Sequence, residues 1–193
     1  MKKVLLLSTI ALLGFAGTVK VFQVDSVHSN IGFKVRHLGI TTVNGNFKEY
    51  EANVTVDPND LTTLKAEAVI QVASVNTGVD RRDSHLRSDD FFNAEAFPTM
   101  TFVSKEVRNL DGTELELVGD LTIRDVTKEI VMDVEYVGSA MSRGNEVIAF
   151  EATAKINRFD FNLKWGALTE AGGLMVSEDV RLILELEAPA QKD

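Results

Sequence analysis

Apolar and polar residues alternate with a period of two through most of this chain. Ile31, Phe33 and Val35 are interleaved with Gly32, Lys34 and Arg36, and Ala66, Ala68, Ile70 and Val72 with Lys65, Glu67 and Gln71. That spacing puts one row of side chains on each face of a β-strand. The same pattern predicts strands through Ala52, Val54 and Val56; Met100 and Phe102; Leu115, Leu117, Leu121 and Ile123; and Ile130, Met132, Val134 and Tyr136. Two more run through Ile148, Phe150, Ala152, Ala154 and Ile156, and through Leu182, Leu184 and Leu186. Asn44-Gly45 reads as a hairpin turn; Asp57-Pro58-Asn59-Asp60 and Asn76-Thr77-Gly78 read as strand ends. The expected fold is all-β, with about eight antiparallel strands closed into a barrel.

Two segments interrupt the alternation. Residues 80–92 (DRRDSHLRSDDFF) are densely charged, and Asp83 precedes Arg87 by four, as in an exposed helical pair, so a short helix is expected there. Residues 158–179 form a glycine-bearing connection with the only tryptophan, Trp165, long enough to act as a lid.

The N-terminus carries a different signal. Lys2 and Lys3 precede the apolar run of residues 4–15, which is shorter than the ~20 residues a membrane span needs. With small residues at Gly14 and Ala16, residues 1–16 read as a cleaved secretory signal peptide, and residues 17–193 as one exported domain. No later run predicts stable membrane insertion. Removing 16 of the 193 residues leaves 177, enough for a sizeable core, and there is no cysteine, so a core and a closed backbone ladder must stabilise the domain. Losing Lys2 and Lys3 takes the net charge from −9 to −11, which argues against nucleic acid as a partner.

The inward rows bear on whether the barrel is filled. Small residues (Ala66, Ala68, Ala152, Ala154) lie among Phe33, Ile70, Phe102 and Phe150. Either they leave an apolar hollow or they face bulky partners in a packed taper, and the pattern leaves both open.

Several segments together resemble the YceI-like polyisoprenoid-binding proteins. They are residues 25–33 (DSVHSNIGF), 37–40 (HLGI), Gly45-Asn46-Phe47, residues 73–78 (ASVNTG), 82–86 (RDSHL), Asp90-Phe91-Phe92, Phe97-Pro98, residues 119–123 (GDLTI) and 157–161 (NRFDF). Asp125 and Asn162 stand where the family pattern has glycine, and these residue types best replace glycine at positive φ. The resemblance implies a lipocalin-like barrel in the periplasm that carries an isoprenoid chain of quinone or polyprenyl type. It implies no cofactor beyond that lipid, and a homodimer is compatible with it.

Under this reading the wall of the ligand site comprises Phe33, Val35, Ala68, Ile70, Phe102, Met132, Phe150, Ala152 and Leu184, with Trp165 covering from the lid. His28, His37, Arg82, Asp83 and His85 are candidates to meet a polar head or to make structural hydrogen bonds. The histidines have neither HxH nor HxxxH spacing, so no metal site is assigned. There is no Gly-x-Ser-x-Gly elbow and no phosphate-binding glycine loop. A binding protein therefore leads over an enzyme acting on a small hydrophobic substrate, and over a filled barrel that docks a protein.

Overall fold

The structure, a computed structural model, describes residues 17–170 and 172–191. The expected signal peptide, residues 1–16, lies outside the described residues. Eleven antiparallel strands form one continuous sheet: β1 Lys20–Gln23, β2 Asn30–His37, β3 Thr41–Phe47, β4 Tyr50–Asp57, β5 Asp60–Gln71, β6 Val75–Asn76, β7 Thr99–Asp111, β8 Glu114–Ile123, β9 Val126–Ser142, β10 Asn145–Asn157 and β11 Val176–Pro189. Their order across the sheet is β1-β4-β5-β7-β8-β9-β10-β11-β2-β3-β6. The sheet curls until β1 meets the far end of β11, where Phe22 bridges Ala190 and Gln191 N–H donates to the Val21 carbonyl at 2.8 Å. Register shifts within the β4–β5, β7–β8, β9–β10 and β2–β11 pairs supply local bends of the kind that curl a sheet.

The predicted alternation is the alternation observed. In β10, Ile148, Phe150, Ala152, Ala154 and Ile156 are buried while Glu151 and Lys155 are exposed. On β11, Leu182 and Leu184 face inward as the register partners of Ala154 and Ala152. The class is the expected all-β barrel, with three strands more than eight. β1 and β6 are too short for a period to show.

The third, β3, runs straight through Asn44-Gly45, which is not a turn. The chain reverses earlier, at Leu38 and Gly39, both at positive φ (54° and 73°), as a tight hairpin requires. Gly45 is instead the cross-strand partner of Phe33.

The charged interruption is the helix α1, Asp80–Arg87. It sits between β6 and β7, at the barrel end where β10 finishes and β11 begins. That end is covered further by a 3-10 turn, Arg158–Phe161, and the connection to β11. Asn162 has a positive φ of 59°, as a glycine substitute should. At the other departure the left-handed residue is Arg124 (φ 58°), not Asp125. The two substitutes approach each other, with Asn162 Nδ2 3.4 Å from Asp125 Oδ1.

Candidate functional site

The barrel is hollow. Its interior holds a cavity of about 200 Å³, measured as room for the centre of a water-sized sphere. One water needs only ~10–15 Å³ by that measure, so the space would hold several, yet the wall offers them almost nothing to bond. Among the lining residues only Asn53, Glu67 and Arg158 have polar side chains, and Asn53 and Glu67 occupy exposed positions. A roomy cavity without hydrogen-bonding partners favours an apolar occupant over water.

Every strand-borne wall residue expected from the alternation lines this cavity: Phe33, Val35, Ala68, Ile70, Phe102, Met132, Phe150, Ala152 and Leu184. They come from β2, β5, β7, β9, β10 and β11 and meet because each sits on the inward face of its strand. Two glycines make room for two of the phenylalanine rings on the wall. A Cβ at Gly45 would fall 2.3 Å from Phe33 Cζ, and one at Gly119 would fall 2.4 Å from Phe102 Cζ. Ala66, Ala68 and Ala152 face the void and make room there, whereas Ala154 is buried away from it.

Leu86, Phe91, Phe92 and Leu163 line the cavity at the helical end. Trp165 stands outside them. Its ring lies 5.3 Å from Phe91 and 5.3 Å from His85, both centroid to centroid, so it supports the cap from behind and is not part of the wall. Arg124 fastens the same cap, donating from Nη1 to the carbonyls of Phe91 (3.0 Å) and Asn162 (2.9 Å).

The remaining polar candidates also lie outside the lining, and all but His37 are engaged through their side chains elsewhere. Asp83 is buried and accepts from the Thr77 amide at 2.8 Å and the Thr77 hydroxyl at 2.5 Å. Arg82 completes the clamp from Nε to Thr77 Oγ1 (2.7 Å) and from Nη2 to Thr77 O (3.0 Å). Asp83 is thus no exposed partner for Arg87, whose guanidinium reaches the carbonyls of Ala73 and Val75. His85 pairs with Asp90 at 2.8 Å. His37 ends β2 beside the hairpin tip. His28 pairs with Asp25 at 2.8 Å, a bond that holds the imidazole above its ordinary pKa and the carboxyl below its own. Glu187 approaches the same imidazole at 3.9 Å on this exposed surface.

Several lining residues lie outside the sequence expectation, Val24, Leu64, Leu86 and Leu163 among them, and one of these is a cation. Arg158, 3% exposed, is the only cation on the wall among the described residues. The signal was present in the sequence: the inward series Ala152, Ala154, Ile156 continues to 158.

The fold and the cavity together define an antiparallel β-barrel with an apolar interior, a class built to enclose hydrophobic molecules. A family model described as a YceI-like domain matches residues 22–188, and the chain belongs to that family. A UPF0312 protein of Staphylococcus epidermidis is 41% identical over 162 residues, covering 83% of this chain and 92% of the relative. A YceI protein of Campylobacter jejuni, known from its crystal structure, is 40% identical over 87% of this chain and 96% of its own, with a TM-score of 0.72. The fold is shared more distantly with a polyisoprenoid binding domain from Saccharophagus degradans, at 18% identity and a TM-score of 0.65, over 90% of this chain and 100% of that one.

Proposed function

We propose that this protein is a periplasmic carrier for a long-chain isoprenoid lipid of quinone or polyprenyl type, held as ligand in the barrel interior. The observation that carries the reading is the cavity itself, apolar and walled by nine of the strands. A flexible hydrocarbon chain gains ~2.5 kcal/mol for each ~100 Å² it removes from water, so such a wall selects for length and hydrophobicity. The polyisoprenoid binding domain of Saccharophagus degradans, which shares the fold, supports the isoprenoid class. Binding is favoured over catalysis because the wall presents no nucleophile beside a base. The periplasmic assignment rests on the signal pattern of residues 1–16, and the mature protein should begin at or near Gly17 by N-terminal sequencing.

Thermal unfolding of delipidated protein tests the carrier reading. Geranylgeraniol should raise the melting temperature in a saturable way, because a ligand that binds only the folded state stabilises it. No shift with any long apolar chain would contradict the proposal.

A further inference from the structure

The outer face of the barrel is divided by charge along the strands. Glu151 and Glu185 are register partners on β10 and β11. Four residues nearer the helical end so are Lys155 and Arg181, and Lys34 of β2 is next in that row. Arg36 follows on β2, and all four cations are exposed. Lys155 pairs with Asp179 at 2.7 Å, whereas Lys34, Arg36 and Arg181 take part in no ion pair among the described residues. The adjoining bulge of β11 carries two acids, Glu178 and Asp179, so the row keeps a surplus of positive charge. Four residues of strand span ~13 Å, more than the Debye length of ~8 Å in physiological salt, so the glutamates are screened from the cations. Like charges opposed across strands weaken a sheet, so stability does not account for the row.

The cations lead to an apolar tip. Beyond Arg36 the β2–β3 hairpin turns, and Leu38 and Ile40 there are 45% and 77% exposed. Leu38 holds a left-handed φ of 54°, a conformation that glycine or asparagine adopts more readily, so folding does not select leucine. Leu38 N–H donates to Met175 O and Met175 N–H to Ala167 O, both at 2.8 Å. These bonds join the hairpin to the β10–β11 connection, where Leu168 is 62% exposed. Lys164 and Glu170, one charge of each sign, are exposed on the same connection. Val35, between Lys34 and Arg36, lines the cavity, as does Val176, so tip and cations adjoin its wall.

We propose that this end of the barrel docks reversibly on an anionic phospholipid bilayer, with Leu38, Ile40 and Leu168 in the interface and Lys34, Arg36 and Arg181 against the head groups. Apolar side chains with cations behind them supply the two signals that peripheral binding combines, and a bilayer offers hydrocarbon and phosphate in the matching order. Arg36 stands ~7 Å back from Leu38 along the strand, and the head-group layer is ~5–7 Å deep, so the guanidinium reaches phosphate when the tip touches hydrocarbon. The net negative charge of the chain does not forbid this, because charges more than ~8 Å away are largely screened. The inference goes beyond the carrier reading and does not depend on what fills the cavity.

The test is co-sedimentation of the mature protein, residues 17–193, with vesicles. Phosphatidylglycerol and phosphatidylcholine in equal parts should bind it at least about tenfold more tightly than phosphatidylcholine alone, and the advantage should fade as salt rises. Lys34→Gln, Arg36→Gln and Arg181→Gln should each weaken binding to the anionic vesicles about fivefold. These side chains are exposed and lie in a like-charged row, so the variants should fold as the wild type does. Glu151→Gln, in the far row, should change binding by less than about twofold. The chain has no cysteine, so Ile40→Cys and Glu114→Cys each accept a single polarity-sensitive dye. The dye at Ile40 should shift to the blue on anionic vesicles, and the dye at Glu114, in the glutamate row, should not. Equal binding to both kinds of vesicle, or an Ile40 dye that stays in water, would overturn the proposal. So would a dimer that Ile40→Ser dissociates, in protein that binds no vesicle, and the tip would then belong to a second copy. None of these results bears on the uptake of geranylgeraniol, so docking and carriage fail separately.

Discussion

The ring of Phe33 occupies the space that a side chain on Gly45 would need, across the β2–β3 register. Gly45→Ala must therefore displace the ring, and the open direction is the cavity. The variant should hold less lipid and lose ~1–3 kcal/mol of stability, as overpacked cores do. Quantifying extracted lipid per protein alongside urea unfolding checks both. Unchanged lipid content in a folded variant would show that the ring does not move inward.

Ala152 gives the complementary experiment. It lines the void from the middle of β10, with Leu184 opposite in register. Ala152→Phe should cut lipid capacity with a modest change in melting temperature, because the new ring enters empty space. A fall of ~1–3 kcal/mol with lipid content unchanged is the result expected of a filled core instead.

Arg82 and Asp83 should behave as a clamp. Asp83→Ala leaves the Thr77 amide and hydroxyl without their buried acceptor, a loss of ~1–3 kcal/mol. Arg82→Ala should cost less, and neither should alter which lipids are retained. Mass spectrometry of the extracted lipids would show the contrary if these residues contacted the head.

Four exposed glutamates stand in one register row across the outer face. Glu114 opposes Glu135, Glu135 opposes Glu151 and Glu151 opposes Glu185. Like charges directly opposite one another destabilise a sheet. Glu135→Lys should therefore stabilise the barrel by ~0.5–1 kcal/mol at low salt, and the gain should shrink as salt rises. Unfolding curves at two ionic strengths measure this.

Period two revealed the wall because each inward position could be counted from its neighbours, as with Phe33 and Val35 or Ala66 and Ala68. It failed where local chemistry mimicked another role. Asn44-Gly45 has the composition of a hairpin turn, and only the ring of Phe33, far off in sequence terms for a local rule, explains the glycine. Asp83 and Arg87 have the spacing of a surface pair, yet the fold of Thr77 back over α1 buries the carboxylate. Trp165 lies in the expected lid, but Phe91 stands between it and the cavity. Arg158 was overlooked because it follows the strand in a polar segment, although the strand's own alternation extends to it.

The central claim is that the cavity holds an isoprenoid chain, and native mass spectrometry of protein purified from its own host cells, before and after organic extraction, tests it most directly. The account predicts one bound species per barrel, lost on extraction, whose fragments differ by five-carbon units. Protein that is purified from those cells without any bound apolar chain, and takes up none when offered, would contradict it.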